Sequence, residues 1–249
     1  MQSFSSNTNW NEGVVMLFDK PLYWTSFNLV NKVKSLLKRN AGLKKIKVGH
    51  AGTLDPLASG LLIVCIGKAT KRVQEFQDSE KEYLATIKLG ATTPSFDMET
   101  EVDEEFPTEH ITIELINKAL AKFNGFIMQI PPLYSAKFVN GKRAYELARQ
   151  GVEMELNAVP IEITSIKVES YEAPLLTVRV RCSKGTYIRS LARDIGAALN
   201  SGGHLVELRR TASGNLRVED AILPEQFEES IKSAYAVMPT VELGDKQIS

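Results

Sequence analysis

The stretch Gly49-His50-Ala51-Gly52-Thr53-Leu54-Asp55-Pro56-Leu57-Ala58-Ser59-Gly60 runs directly into the apolar segment Leu61-Leu62-Ile63-Val64-Cys65-Ile66. It reads as a glycine-hinged loop feeding a buried strand. Gly49, Gly52 and Gly60 permit backbone angles that other residues avoid. Pro56 fixes its own φ and biases Asp55 toward an extended conformation. One carboxylate is thus carried on a stiff, irregular loop against a hydrophobic element. Functional groups are often held that way, and Asp-Pro is equally common as plain turn chemistry.

The flanking chain supplies short elements of both kinds. Val14 to Phe18 reads as a buried strand ended by Asp19-Lys20-Pro21. Thr25 or Ser26 can cap a helix with Phe27, Val30, Val33 and Leu37 at helical spacing and Gly42 as terminator. A helix passes through Val73 and Phe76. Residues 82–89 alternate, with Tyr83, Ala85, Ile87 and Leu89 on the inward face. The acidic run Asp97 to Glu105 is expected to be an exposed loop. A helix then carries Ile113, Ile116, Leu120 and Phe123, with Gly125 at its end. Pro131-Pro132 breaks regular structure, Asn140-Gly141 marks a turn, and residues 142–150 read as a short helix. Residues 161–170 and 175–182 read as paired strands, the second with Leu176, Val178, Val180 and Cys182 facing inward. A helix with Leu191, Ile195 and Leu199 follows, then a strand from His204 to Thr211, and Pro224 opens a last helix. Strands outnumber helices in irregular order, which predicts an α+β fold with a mixed, mainly antiparallel sheet. Residues 1–12 are expected to form a tail ahead of one domain spanning 13–249.

The 249 residues carry 30 basic and 30 acidic side chains, a formal net charge of zero. The distribution is uneven. From Pro21 to Leu54 there is no acidic residue, while Lys32, Lys34, Lys38, Arg39, Lys44, Lys45 and Lys47 all fall there. A second basic zone holds Arg179, Arg181, Lys184, Arg189, Arg193, Arg209 and Arg210. Such asymmetry fits a polyanion-binding face with an acidic far side, and fits ordinary solvated faces as well. The apolar run from Leu61 is far too short to span a membrane. The first ten residues lack a basic-then-apolar signal, so a cytoplasmic location is expected. Cys65 and Cys182 sit in apolar runs and read as reduced core residues. The two cysteines and three histidines have no metal-ligand spacing. Gly67-Lys68-Ala69-Thr70 is not a phosphate loop, because the spacing from Gly60 and the residue after Lys68 are both wrong.

The ordered series Lys20-Pro21, Gly49-His50 through Leu54-Asp55-Pro56 to Gly60, Gly67-Lys68-Ala69-Thr70-Lys71, Lys81-Glu82-Tyr83, Pro131-Pro132-Leu133-Tyr134-Ser135-Ala136, Gly185-Thr186-Tyr187-Ile188-Arg189 and Leu208-Arg209-Arg210 resembles the TruB family of tRNA pseudouridine synthases. The likeness covers residues 13 to about 215. It implies the pseudouridine synthase fold and an isomerase that acts on the T-loop uridine at position 55 of tRNA. That reaction breaks the glycosidic bond of a uridine, turns the base, and rejoins it through carbon. It needs neither metal nor organic cofactor, and the uridine must be flipped into a pocket.

The resemblance also implies roles. Asp55 matches the catalytic aspartate, Tyr83 the tyrosine that stacks on the base, and Arg189 the arginine that pairs with the carboxylate. Tyr187 matches a further site residue, Leu208 the apolar residue that closes the pocket, and His50 the histidine that helps extrude the uridine. Lys20 and Pro21 are expected in the pocket wall. The partner implied is tRNA through its T-arm, with no membrane and no obligate protein partner. Two departures stand out. Tyr23 occupies a position where members often carry glycine, so a different loop conformation is expected there. Only about thirty residues follow the stretch that the likeness covers, too few for the RNA-binding PUA domain that many members carry. The alternatives are a non-catalytic tRNA-binding or folding protein, and the same chemistry on another RNA.

Overall fold

The computed structural model describes residues 5–236, apart from 136–137, 140, 145–146, 148–149, 151 and 153–155. Thirteen strands are seen among them: β1 (Val14–Lys20), β2 (Val48–Ala51), β3 (Ala58–Ile66), β4 (Lys81–Leu89), β5 (Ala91–Thr92), β6 (Glu104–Glu105), β7 (Gly125–Gln129), β8 (Phe138–Val139), β9 (Lys142–Arg143), β10 (Val159–Glu172), β11 (Leu175–Cys182), β12 (Gly203–Ser213) and β13 (Leu216–Arg217). The helices are α1 (Ser26–Asn40), α2 (Val73–Asp78), α3 (Ile113–Leu120), α4 (Ile188–Ala198) and α5 (Pro224–Ala234).

Nine strands form one sheet in the order β1-β3-β12-β4-β11-β10-β7, with β2 beside β3 and β13 beside β12. Pairing is antiparallel except between β3 and β12. This is the expected α+β architecture. β3 is central to its half of the sheet, and its residues from Gly60 to Ile66 are all buried. That explains its unbroken apolar run, since such a strand has no solvent face to pattern.

Two groups of helices cover the two halves of the sheet. α4 and α3 pack over β4, β10 and β11 around Ile87, Ile163, Val178, Leu191 and Ile195. α1 and α5 pack on β1 and β3 around Phe18, Leu29, Val33, Leu62 and Phe227. α1 begins at Thr25, whose hydroxyl accepts from the backbone of Asn28. Its apolar face is Leu29, Val30, Val33, Leu36 and Leu37. Phe27, expected on that face, is instead 66% exposed, because it lies a third of a turn outside the stripe the sheet covers. Trp10 lies ahead of β1 yet is buried, its indole donating to the Tyr235 hydroxyl (3.0 Å). Lys142 and Arg143 form β9 with Phe138 and Val139, so no helix starts there. Much of the helix expected over 142–150 lies outside the described residues.

The loop that the sequence singled out is clamped from three directions. Ser26 at the start of α1 accepts from the Leu54 amide (2.9 Å) and donates to the Leu54 carbonyl (3.2 Å). The Tyr23 amide donates to the Pro56 carbonyl (2.7 Å). Arg210 on β12 donates to the carbonyls of Leu61 (2.7 Å) and Gly52 (3.2 Å). An otherwise irregular segment thus has the amide and carbonyl of its buried Leu54 paired, and the carbonyls of Gly52 and Pro56 as well.

Candidate active site

Asp55 opens into a cavity of about 1060 Å³, the larger of the two described pockets, where the Asp55 loop meets β4, β12 and the start of α4. Sheet register builds its floor. Arg210 lies opposite Tyr83 on β4 and beside Gly60 on β3, while Leu208 lies opposite Ala85 and beside Ala58. Directly paired residues share a face, and so do residues two apart on one strand. Tyr83, Leu208 and Arg210 therefore project together into the cavity, which all three line. Gly60 leaves room for this, since a Cβ there would stand 2.3 Å from the Arg210 carbonyl oxygen.

The opposite wall is the N-terminal turn of α4. Gln129 at the end of β7 fixes it, accepting from the Tyr187 amide (2.8 Å) and donating to the Tyr187 carbonyl (3.1 Å). Ser190 donates to the Ile130 carbonyl (2.8 Å). That anchored turn presents Arg189, whose side chain is only 6% exposed. Its Nη2 lies 3.0 Å from Oδ2 of Asp55, and its Nε lies 3.5 Å from Oδ2 of Asp97. One guanidinium thus spans two carboxylates, a use of its fixed fork that a lysine could not match.

Asp97 corrects the sequence reading. The segment 97–105 was expected to be an exposed acidic loop, but Asp97 is buried beside Arg189. Its carbonyl accepts from Thr93 (2.7 Å) and Ser95 (3.2 Å), and its Oδ1 accepts from the Glu99 amide (2.9 Å). Met98 and Glu99 line the cavity with it. The second basic zone is corrected too. Arg189 and Arg210 are buried in the site, Arg209 pairs with Asp19 (2.6 Å), and Arg179 and Arg181 share Glu82. Few of its charges are free for an external polyanion.

Asp55 itself is 41% exposed and lines the cavity, whose walls surround it. That enclosure pushes its carboxyl above the ordinary carboxylate range; Arg189 opposes the shift, and Asp97 and Glu99 add to it. Burial likewise pushes the Tyr83 phenol up, against the pull of Arg210, so it stays protonated at neutral pH.

Tyr187 and Leu208 line the cavity, as the resemblance implied. His50, Lys20 and Pro21 do not. His50 is half-buried on β2 opposite Val64, and its Nδ1 is buried with no hydrogen-bond partner among the described residues. Burial, and then Arg210, hold its imidazole below the usual range, so it is neutral. Lys20 is completely buried opposite Gly60, with its ammonium on the carbonyls of Pro21 (2.9 Å) and Trp24 (2.5 Å). Burial brings it down to about 8, while Asp55 pulls it up and Arg210 pushes it further down. It ties down the turn between β1 and α1 and is not among the residues that line the cavity.

Residues that the sequence left unassigned complete the site. Arg210 stood in a quoted motif but was counted as surface charge, and Ser26 only as a helix cap. Gln129 and Asp97 had no local signal at all, because their partners Tyr187 and Arg189 are distant in sequence.

Residues 38–188 match the TruB family pseudouridylate synthase (N terminal domain), and residues 189–237 match the tRNA pseudouridylate synthase B C-terminal domain. Asp55 thus comes from one matched segment and Arg189 from the other. The chain is 59% identical over 221 residues to the tRNA pseudouridine synthase B of Phocaeicola vulgatus, covering 89% of this chain and 94% of that one. It is 56% identical to the protein of that name from Bacteroides thetaiotaomicron, covering 90% and 95%. Among solved structures it is similar to one from a Cbf5-Nop10-Gar1 complex, with 31% identity, a TM-score of 0.67, and coverage of 91% of this chain and 58% of that one. It is also similar to one from an H/ACA RNP bound to a substrate RNA containing 2'-deoxyuridine, with 27% identity, a TM-score of 0.66, and coverage of 92% and 57%.

Proposed function

This chain belongs to the TruB family of pseudouridylate synthases, and from that premise we propose that it converts the T-loop uridine at position 55 of tRNA to pseudouridine. The observation that carries the reading is a carboxylate, Asp55, held by Arg189 at the mouth of a cavity large enough for an extruded nucleotide.

The geometry divides the work. A flipped uridine enters between Tyr83 and Leu208, with the tyrosine ring as its stacking partner. Asp55 acts as nucleophile or base beside the sugar and the ring. Arg189 fixes the aim of the carboxylate and opposes its protonation. The N1 to C1′ bond breaks with its electron pair left on N1, the uracil turns within the cavity, and C5 bonds to C1′; the proton that C5 then loses passes to water or to the Asp55 carboxylate, while N1 takes one up. The Tyr83 hydroxyl lies in the same cavity and, being protonated, serves as a donor to the turning base. Tyr187 braces the base from the α4 side. His50 acts from β2, behind the loop, by supporting the RNA that the uridine leaves, and Lys20 and Pro21 shape the turn between β1 and α1. Residues from 13 onward work as one catalytic unit on the T-arm, and a tRNA substrate places the protein in the cytoplasm.

Tritium release from tRNA labelled at uridine C5, followed by mapping of the modified base, tests the proposal. Release with modification confined to the T-loop is the expected result. Release mapped to other sites would shift the reading to another RNA target, and binding without release would favour a tRNA-folding role.

A further inference from the structure

A second cleft, of about 520 Å³, lies at the opposite end of β3. Its lining includes Lys34 and Lys38 at the end of α1, Lys44, Lys45 and Lys47 before β2, and Lys68 and Lys71 in the 3₁₀ helix Gly67–Arg72. Lys68 pairs with Glu12 (2.7 Å), whereas the other six lysines have no carboxylate partner among the described residues. Gathering like charges in one concavity works against folding, so the arrangement calls for a polyanion to offset it. Among the described residues no aromatic side chain lines the cleft to stack a base. The chemistry suits backbone phosphates rather than nucleobases.

The cleft is built on fixed elements. Ile46 is buried in the α1–α5 layer, the Gly67 amide donates to the Lys47 carbonyl (2.8 Å), and the Lys68 amide donates to the Asn11 carbonyl (3.0 Å). Gly67, at φ 63°, lets the N-terminal segment close in, since a Cβ there would stand 2.1 Å from the Trp10 carbonyl oxygen. Two elements join this cleft to the Asp55 cavity. β3 starts at Ala58 beside the cavity and ends at Ile66 beside the cleft, roughly 26 Å at ~3.3 Å per residue. α1 runs the same way: its cap Thr25 lines the cavity and Lys38 lines the cleft. Phe27, Asn31, Lys34 and Lys38 follow one another along its outer side at helical spacing.

We infer that the lysine cleft is a distal RNA anchor, which grips backbone phosphates of the tRNA whose uridine occupies the Asp55 cavity. The inference rests on the proposed function, and adds a second contact that the target loop alone cannot reach. The five-base-pair stem of a T-arm hairpin is shorter than the roughly 26 Å, at ~3.3 Å per residue, that β3 spans between the two sites.

The test compares wild type with the combined Lys38→Glu, Lys44→Glu, Lys45→Glu variant on full-length tRNA and on that hairpin. For the variant, kcat/KM on tRNA falls about tenfold or more at low salt with kcat retained, and the slope of log kcat/KM against log salt becomes shallower by about 2. Turnover of the hairpin is unchanged. The Lys-to-Arg triple variant retains wild-type kcat/KM on both. Equal kcat/KM for variant and wild type on tRNA, or an equal loss on both substrates, overturns the anchor. If the Glu variant does not fold, wild type alone decides: its preference for tRNA over hairpin must shrink as salt rises, and a salt-independent preference overturns the anchor. Wild type that turns over neither substrate refutes the proposed function, and the anchor with it.

Discussion

Arg189 touches Asp55 at 3.0 Å and Asp97 at 3.5 Å, so one buried guanidinium fixes a carboxylate on the catalytic loop against one on the acidic segment. Three stretches far apart in sequence meet at that point. Asp97 is as deeply buried as Arg189, so removing one partner of that pair leaves the other uncompensated, at a cost of about 3–5 kcal/mol.

This contact sets the pH dependence. The working form of Asp55 is the carboxylate, so the rate falls as pH drops through its pKa. That value lies above the ordinary 3.8, because enclosure raises it more than Arg189 lowers it. The acid limb of kcat/KM is therefore expected above pH 3.8. Arg189→Met moves the limb further up, and Asp97→Asn moves it down, since Asp97 raises the Asp55 value. A pH–rate profile of the three proteins checks both signs; identical limbs would mean that Asp55 is not the titrating group.

Gly60 is the narrowest joint between the loop and the floor of the site. It sits at φ 101°, and a Cβ would meet Arg210 backbone atoms at 2.3, 2.8 and 3.0 Å. Backbone on both sides cannot yield as a flexible side chain would. Gly60→Ala is expected to destabilise the fold by about 3 kcal/mol or more, through strain plus overpacking. Urea unfolding measures it, and a loss well under 1 kcal/mol would contradict the β3–β12 register.

Tyr23 adopts φ 67°, the left-handed region that favours glycine, and its side chain is 74% exposed. The resemblance pointed to glycine at this position, and a different loop path was expected. The backbone instead takes the path open to a glycine, held by the Tyr23 amide on the Pro56 carbonyl. Tyr23→Gly should therefore stabilise the protein by up to about 1 kcal/mol, since the left-handed strain relieved, ~1–2 kcal/mol, exceeds the freedom that glycine adds to the unfolded chain. Thermal unfolding decides, and a lower Tm would refute the assignment.

The sequence carried the fold further than it carried the site. β4, β10, β11, β12, α4 and α5 were legible because each has an uncompromised period or a clear opening and closing residue. Asp55, Tyr83, Tyr187, Arg189 and Leu208 were legible only as parts of an ordered motif series. Asp97 was not, because its burial depends on Arg189, 92 positions later, and a run of acids alone reads as solvated. Arg210 was misread as surface charge for a similar reason: its concealment comes from Gly60 and from carbonyls on another strand. Phe27 shows the reverse error, an aromatic at helical spacing that the fold leaves in water.

The central claim is that the Asp55 carboxylate performs the isomerisation. Single-turnover tritium release by wild type and Asp55→Asn, with tRNA binding measured in parallel, tests it most directly. The asparagine keeps the shape and removes the charge, so release should fall by about 10⁴-fold or more while binding persists. Release at a rate near that of wild type would show that another group does the chemistry.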